Sequence, residues 1–149
     1  MKPSNSLDLL VDLGQNHLEQ AGQQLHSISS QQRAAAEQLE MLQGYRQDYA
    51  QRLLEAGRTG LTMSNYHNFV RFIATLDEAI QQQNKILQKL DDKVSASRDN
   101  WNEKRVRVNA YETLVERRQY RALKEQARQE QIQTDEISAR LYAKAQGTY

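Results

Sequence analysis

Apolar residues recur along this chain in alternating steps of four and three. Counted from Leu7, the positions are Leu7, Val11, Gly14, Leu18, Ala21, Leu25, Ile28, Gln32, Ala35, Leu39, Leu42, Arg46, Tyr49, Leu53 and Ala56, and twelve of the fifteen are apolar. Counted from Tyr66, they are Tyr66, Phe69, Ile73, Leu76, Ile80, Gln83, Leu87, Leu90, Val94, Ser97, Trp101, Lys104, Val108, Tyr111 and Val115, again twelve of fifteen. Seams of this length and narrowness predict a coiled coil, not the broad apolar face of a globular bundle. Between them lies Gly57-Arg58-Thr59-Gly60-Leu61-Thr62, the one concentration of helix breakers. Ser64 or Asn65 is positioned to cap a second helix, and the only proline, Pro3, stands before the first. The spacing therefore predicts one domain over 1–149: helix one at about 5–56, a loop at 57–63 and helix two at about 64–145.

A loop this short makes the helices antiparallel, so residue i faces about residue 120 − i. Leu53 is expected near His67, Leu39 near Gln81 and Val11 near Asn109. At ~1.5 Å per residue the arms are ~78 Å and ~120 Å long. Helix one then runs out opposite about residue 115, leaving roughly the last thirty residues of helix two without an intrachain partner. The expected class is all-α: a long antiparallel two-helix coiled-coil hairpin with a C-terminal single-helix overhang. Beyond Val115 the seam weakens, and a stripe of Leu123, Ala127, Ile137 and Leu141 takes over one residue out of phase, which changes the winding locally. That stripe either frays in solvent or docks on another protein.

Composition sharpens this picture by exclusion. Hydrophobic residues are 38% of the chain, twenty residues are glutamine and there is no cysteine, so a disulfide framework, a thiolate zinc site and a cysteine nucleophile are ruled out. No run approaches the ~18 apolar residues of a membrane span. Asp8 and Asp12 interrupt any signal-like apolar run, so a soluble, intracellular chain is expected. His17, His26 and His67 are scattered and form no metal-ligand spacing. Asp77-Glu78 and Asp91-Asp92 are adjacent in sequence and splay around a helix, and two packed helices make no water-excluding pocket. No enzyme, metal or cofactor is expected.

Charge is graded. Residues 1–56 carry a net −3, 57–103 zero and 104–149 a net +4. The basic end, with Arg105, Arg117, Arg118, Arg121, Lys124 and Arg128, reads as a solvated face, as a plug for an acidic protein socket or, more weakly, as a nucleic-acid contact. Acidic helix one and the lack of basic–aromatic alternation argue against nucleic acid. Near the other end, Phe72 stands beside the seam; with Leu76, Ala79, Gln83 and Ile86 it forms a second strip that two helices cannot cover together with the first. Phe72 is either a partner anchor or a ring folded over the seam edge.

The run Asn65-Tyr66-His67-Asn68-Phe69-Val70-Arg71-Phe72-Ile73-Ala74-Thr75-Leu76-Asp77-Glu78-Ala79-Ile80, together with Glu37-Gln38-Leu39-Glu40-Met41-Leu42, Tyr45, Tyr49, Trp101, Glu103-Lys104 and the glycine turn, resembles the FliJ family of flagellar export proteins. The resemblance covers essentially the whole chain. It implies a cytoplasmic two-helix rod of the flagellar type III export apparatus, at the inner face of the inner membrane and required for motility. Such proteins resemble the stalk of the rotary-ATPase gamma subunit. They insert into the ring of the export ATPase FliI, contact the export gate protein FlhA and cycle export chaperones. The resemblance places the gate contact on Phe72, Leu76, Ala79 and Gln83. Charge and position alone point to Arg105, Arg117, Arg118, Arg121, Lys124 and Arg128 for the ATPase. The equivalent stalk of a virulence secretion system fits the same physics.

Overall fold

A computed structural model describes residues 5–147; Pro3 and the other terminal residues lie outside the described range. Two helices account for nearly all of it: α1 (Asn5–Thr59) and α2 (Met63–Gln146). The chain is all-α, and α1 packs antiparallel to α2. α2 is continuous to Gln146, with no break setting its C-terminal stretch apart.

The burial pattern follows the expected seams. Every seam position of α1 except Arg46, and every one of α2 from Phe69 to Val115, is buried or half-buried; Tyr66 is exposed. The most buried apolar residues, Ala21, Ala35, Leu76, Val94 and Val108, all belong to the two seams.

The connection is shorter than expected. Only Gly60, Leu61 and Thr62 are non-helical, not 57–63. A Cβ at Gly57 would meet nothing within 4 Å, and the residue stays helical. The Thr59 hydroxyl donates back to the carbonyls of Glu55 and Ala56 (3.4 and 3.3 Å), holding its side chain against the last turn. Gly60 then takes φ +99°, the left-handed conformation that ends a helix and that a Cβ disfavours. Nor does Ser64 or Asn65 cap α2. Thr62 does: its Oγ1 accepts the Asn65 N–H (3.2 Å), and its carbonyl accepts the Tyr66 N–H (3.0 Å).

The contacts fall into two compact units. In the unit His17–Lys104, α1 and α2 meet in a register within three residues of expectation. Arg46 pairs with Asp77 through its Nε, Gln32 donates to Asp91, and the Gln83 amide donates to the Ala35 carbonyl at 3.0 Å. A Cβ on Gly22 would lie 3.4 Å from Trp101 Nε1, so the missing side chain there seats the largest ring of α2. In the other unit, the start of α1 through Asn16 packs on α2 from Arg105 onward. A Cβ on Gly14 would lie 3.1 Å from Val108 Cγ2; Gln15 donates to Glu112 (3.3 Å) and Arg118 to Asp8 (3.1 Å). From Gln119 to Gly147 every residue is exposed. Among the described residues no helix is long and apolar enough to cross a membrane.

The glycines make opposite predictions. Gly44 is exposed mid-helix, and a methyl added there would meet nothing within 4 Å, so Gly44→Ala stabilises by about 1 kcal/mol. Gly60→Ala forces a side chain into φ +99° and costs about 1–2 kcal/mol. Thermal melting followed by circular dichroism checks both: the midpoint rises for the first and falls for the second.

Candidate partner-binding surfaces

The Phe72 strip is divided by the packing. Phe72 keeps 41% of its surface exposed, while Leu76 and Gln83 each keep only 7%. Ala79 is half-buried and Ile86 exposed. Leu76 and Gln83 thus belong to the α1–α2 seam and are not presented to solvent. The side chains offered outward from α2 are Phe72, the edge of Ala79 and Ile86.

Phe72 does not stand alone. Its ring lies over Tyr49 of α1, with centroids 4.3 Å apart and planes 37° apart; Tyr49 also approaches Phe69 at 6.3 Å. The Arg52 guanidinium sits 5.3 Å from the Tyr49 ring centre and pairs with Asp48 at 3.3 Å, a cation–π contact that braces the ring. Met41, Tyr45 and Tyr49 follow at four-residue steps, so they share one face of α1; Met41 and Tyr45 are exposed. The apolar surface around Phe72 is therefore built by both helices. The α1 half escapes a reading of α2 spacing alone, although the expected antiparallel register already sets residue 49 opposite residue 71.

The basic residues divide as well. Arg117, Arg121, Lys124 and Arg128 recur at steps of four, three and four and lie on one exposed face of α2. Arg118 leaves that face and pairs with Asp8 of α1. Arg105 is exposed and lies on a different side of the helix. Lys124 Nζ sits 5.7 Å from the Tyr120 ring centre. Arg128 grips Glu125 with two bonds (2.8 and 3.2 Å). Those bonds, with a weaker one from Gln129, hold the Glu125 carboxyl below its ordinary range and push Arg128 up. The Glu125 contribution is present above the ordinary glutamate value and fades on acidification; the Arg128 shift lies beyond any working pH. The stripe of Leu123, Ile137 and Leu141 is strongly exposed. Among the described residues no group of histidines and carboxylates is gathered to hold a metal.

These surfaces suit docking, and comparison with known proteins says in which system. The family model described as "Flagellar FliJ protein" matches residues 2–147. The chain belongs to the FliJ family. It is 33% identical over 140 residues to the flagellar FliJ protein of Escherichia coli K12, and 31% identical over 140 residues to that of Salmonella typhi; each match covers 94% of this chain and 95% of the relative. The solved structure of a Chlamydia trachomatis protein described as a YscO homolog superposes with TM-score 0.68 at 17% identity, covering 99% of this chain and 98% of that one. At that identity the likeness is one of fold. As a FliJ-family member the chain is a component of flagellar type III protein export, and members of this family are not catalytic.

Burial separates the exposed ring from the packed side chain in this FliJ-family chain. Leu76→Ala empties a buried seam position and costs about 2–4 kcal/mol. Phe72→Ala removes a half-exposed ring and its stacking and costs no more than about 1.5 kcal/mol. Urea unfolding of the two variants measures the difference.

Proposed function

We propose that this FliJ-family chain works as an export stalk, binding the export gate FlhA through the Phe72 surface and the export ATPase FliI through the basic face of α2. It cycles export chaperones in the same process. Its place is the cytoplasm, at the inner face of the inner membrane and peripheral to it. The absence of any membrane-crossing helix among the described residues is compatible with that location.

The observation that carries the gate reading is the position of Phe72, held half-exposed on Tyr49 while Leu76 lies buried. An apolar ring fixed by its neighbours enters a partner pocket with little further ordering cost. Phe72 and Ala79 make the contact in this reading, and Leu76 and Gln83 support it from beneath. The ATPase reading rests on four cations on one face, Arg117, Arg121, Lys124 and Arg128, beside a stretch from residue 119 onward that is exposed throughout. That stretch serves as an overhang beyond the start of α1. Arg118 steadies the approach to it through Asp8, and Arg105 adds charge on a neighbouring side. A basic face of this kind speeds encounter with an acidic socket and makes binding depend on salt.

The test is a pull-down with the purified export ATPase and the cytoplasmic domain of the gate, reading ATPase stimulation beside binding. Alanine at Arg117, Arg121, Lys124 and Arg128 weakens ATPase binding, flattens its salt dependence and leaves gate binding intact. Phe72→Ala abolishes gate binding and leaves ATPase binding intact. Unchanged affinities in these variants overturn the two assignments.

A further inference from the structure

Gln83 is the one buried polar side chain among the described residues, and its Nε2 donates to the backbone carbonyl of Ala35 at 3.0 Å. Two features let that bond form. Ala35 is itself buried, and its small side chain lets α2 approach closely enough for the amide to reach the backbone. Its seam neighbours one heptad away are Ile28 and Leu42, whose larger side chains hold the facing helix farther off. A leucine-rich seam that repeats every seven residues is nearly indifferent to a slide of seven; a buried amide that needs one particular carbonyl is not.

The turn makes such a slide possible. Both arms are counted from it, so moving the turn by three to four residues changes every pairing by about seven. Gly57 lies three residues before Gly60, is helical and has open space around it. A hairpin that turned at Gly57 with a loop one residue shorter would shift the pairing by seven, set Gln83 against Ile28 and Arg46 against Val70, and take Trp101 off Gly22. The chain therefore carries a glycine for each of two registers, and its buried amide is satisfied in only one. The exposed pairs Arg46–Asp77 and Gln32–Asp91 agree with the native register, but pairs in water contribute little to such a choice.

We infer that Gln83 is a positioning residue that locks α2 onto α1 in the Gly60 register, and that it acts on partner binding through this lock and not by contact. In the slipped register Phe72 leaves Tyr49, and the two-helix surface around it no longer exists. That consequence for binding rests on the gate reading above; the lock itself does not.

The chain has no cysteine, so an introduced pair forms the only possible disulfide. Arg46→Cys with Asp77→Cys reports the native register, and Arg46→Cys with Val70→Cys reports the slipped one, each equilibrated in a glutathione buffer. With Gln83 present the native pair closes and the slipped pair does not. Gln83→Leu keeps or raises the melting midpoint, because an apolar side chain replaces a buried amide. It also raises the slipped disulfide about tenfold or more, the population shift that an unsatisfied buried amide can hold back. Adding Gly57→Ala to Gln83→Leu suppresses the slipped disulfide again. Equal slipped yields with and without the Gln83→Leu substitution overturn the lock, and a slipped yield indifferent to Gly57→Ala overturns the alternative turn. Failure of the wild-type chain to bind the gate overturns the surface reading alone and leaves the disulfide yields to judge the lock.

Discussion

Everything in this structure depends on one constraint: two narrow apolar seams must close on each other, because neither helix has a second layer to bury against. A two-helix pair has no enclosed core. Among the described residues no large side chain is fully buried, and of the five best-buried apolar positions all but Leu76 are small or β-branched: Ala21, Ala35, Val94 and Val108. Stability must come from close approach along a line, and close approach needs small residues opposite large ones. Gly22 under Trp101 and Gly14 under Val108 are that requirement made local.

The non-apolar members of the seams follow from the same constraint. Gln32, Arg46 and Gln83 stand where a leucine would bury more surface, yet each makes a bond across to the other helix, to Asp91, Asp77 and the Ala35 carbonyl. All three give up hydrophobic area; of the three bonds only the buried one, from Gln83, weighs strongly on the alignment. Alignment matters here because the apolar surface at Phe72 is assembled from both helices. A protein of this design can expose an aromatic surface without a pocket, since the opposite helix supplies the platform.

Much of this was legible in the sequence, for physical reasons. The 4-3 spacing of Leu7 to Ala56 and of Tyr66 to Val115 reports the buried line directly, since a helix has only one way to place those residues on one side. The antiparallel register followed from loop length and falls within three residues of the cross-helix bonds. The turn was less legible: Gly57 looks like a stop, but the stop is set by φ at Gly60 and by the hydroxyls of Thr59 and Thr62, which spacing does not encode. The proposed partner surface was legible only as positions on one helix. Spacing placed Phe72, Leu76, Ala79 and Gln83 in a strip; the exposure of Phe72 and the burial of Leu76 and Gln83 depend on where α1 lies. The same holds for the basic group, where Arg118 turns to Asp8 and leaves a four-residue face.

The most direct measurement is hydrogen exchange across the full chain, alone and then with the export ATPase or with the gate's cytoplasmic domain. Seam-paired amides in 17–104 should exchange slowly in the free chain and those of 119–146 quickly, since exposed, unpacked helix opens readily. The ATPase should then slow exchange around 117–128, and the gate around 69–86. Strong protection of 119–146 in the free chain, or one and the same footprint for both partners, would contradict two separate docking surfaces on a two-helix scaffold.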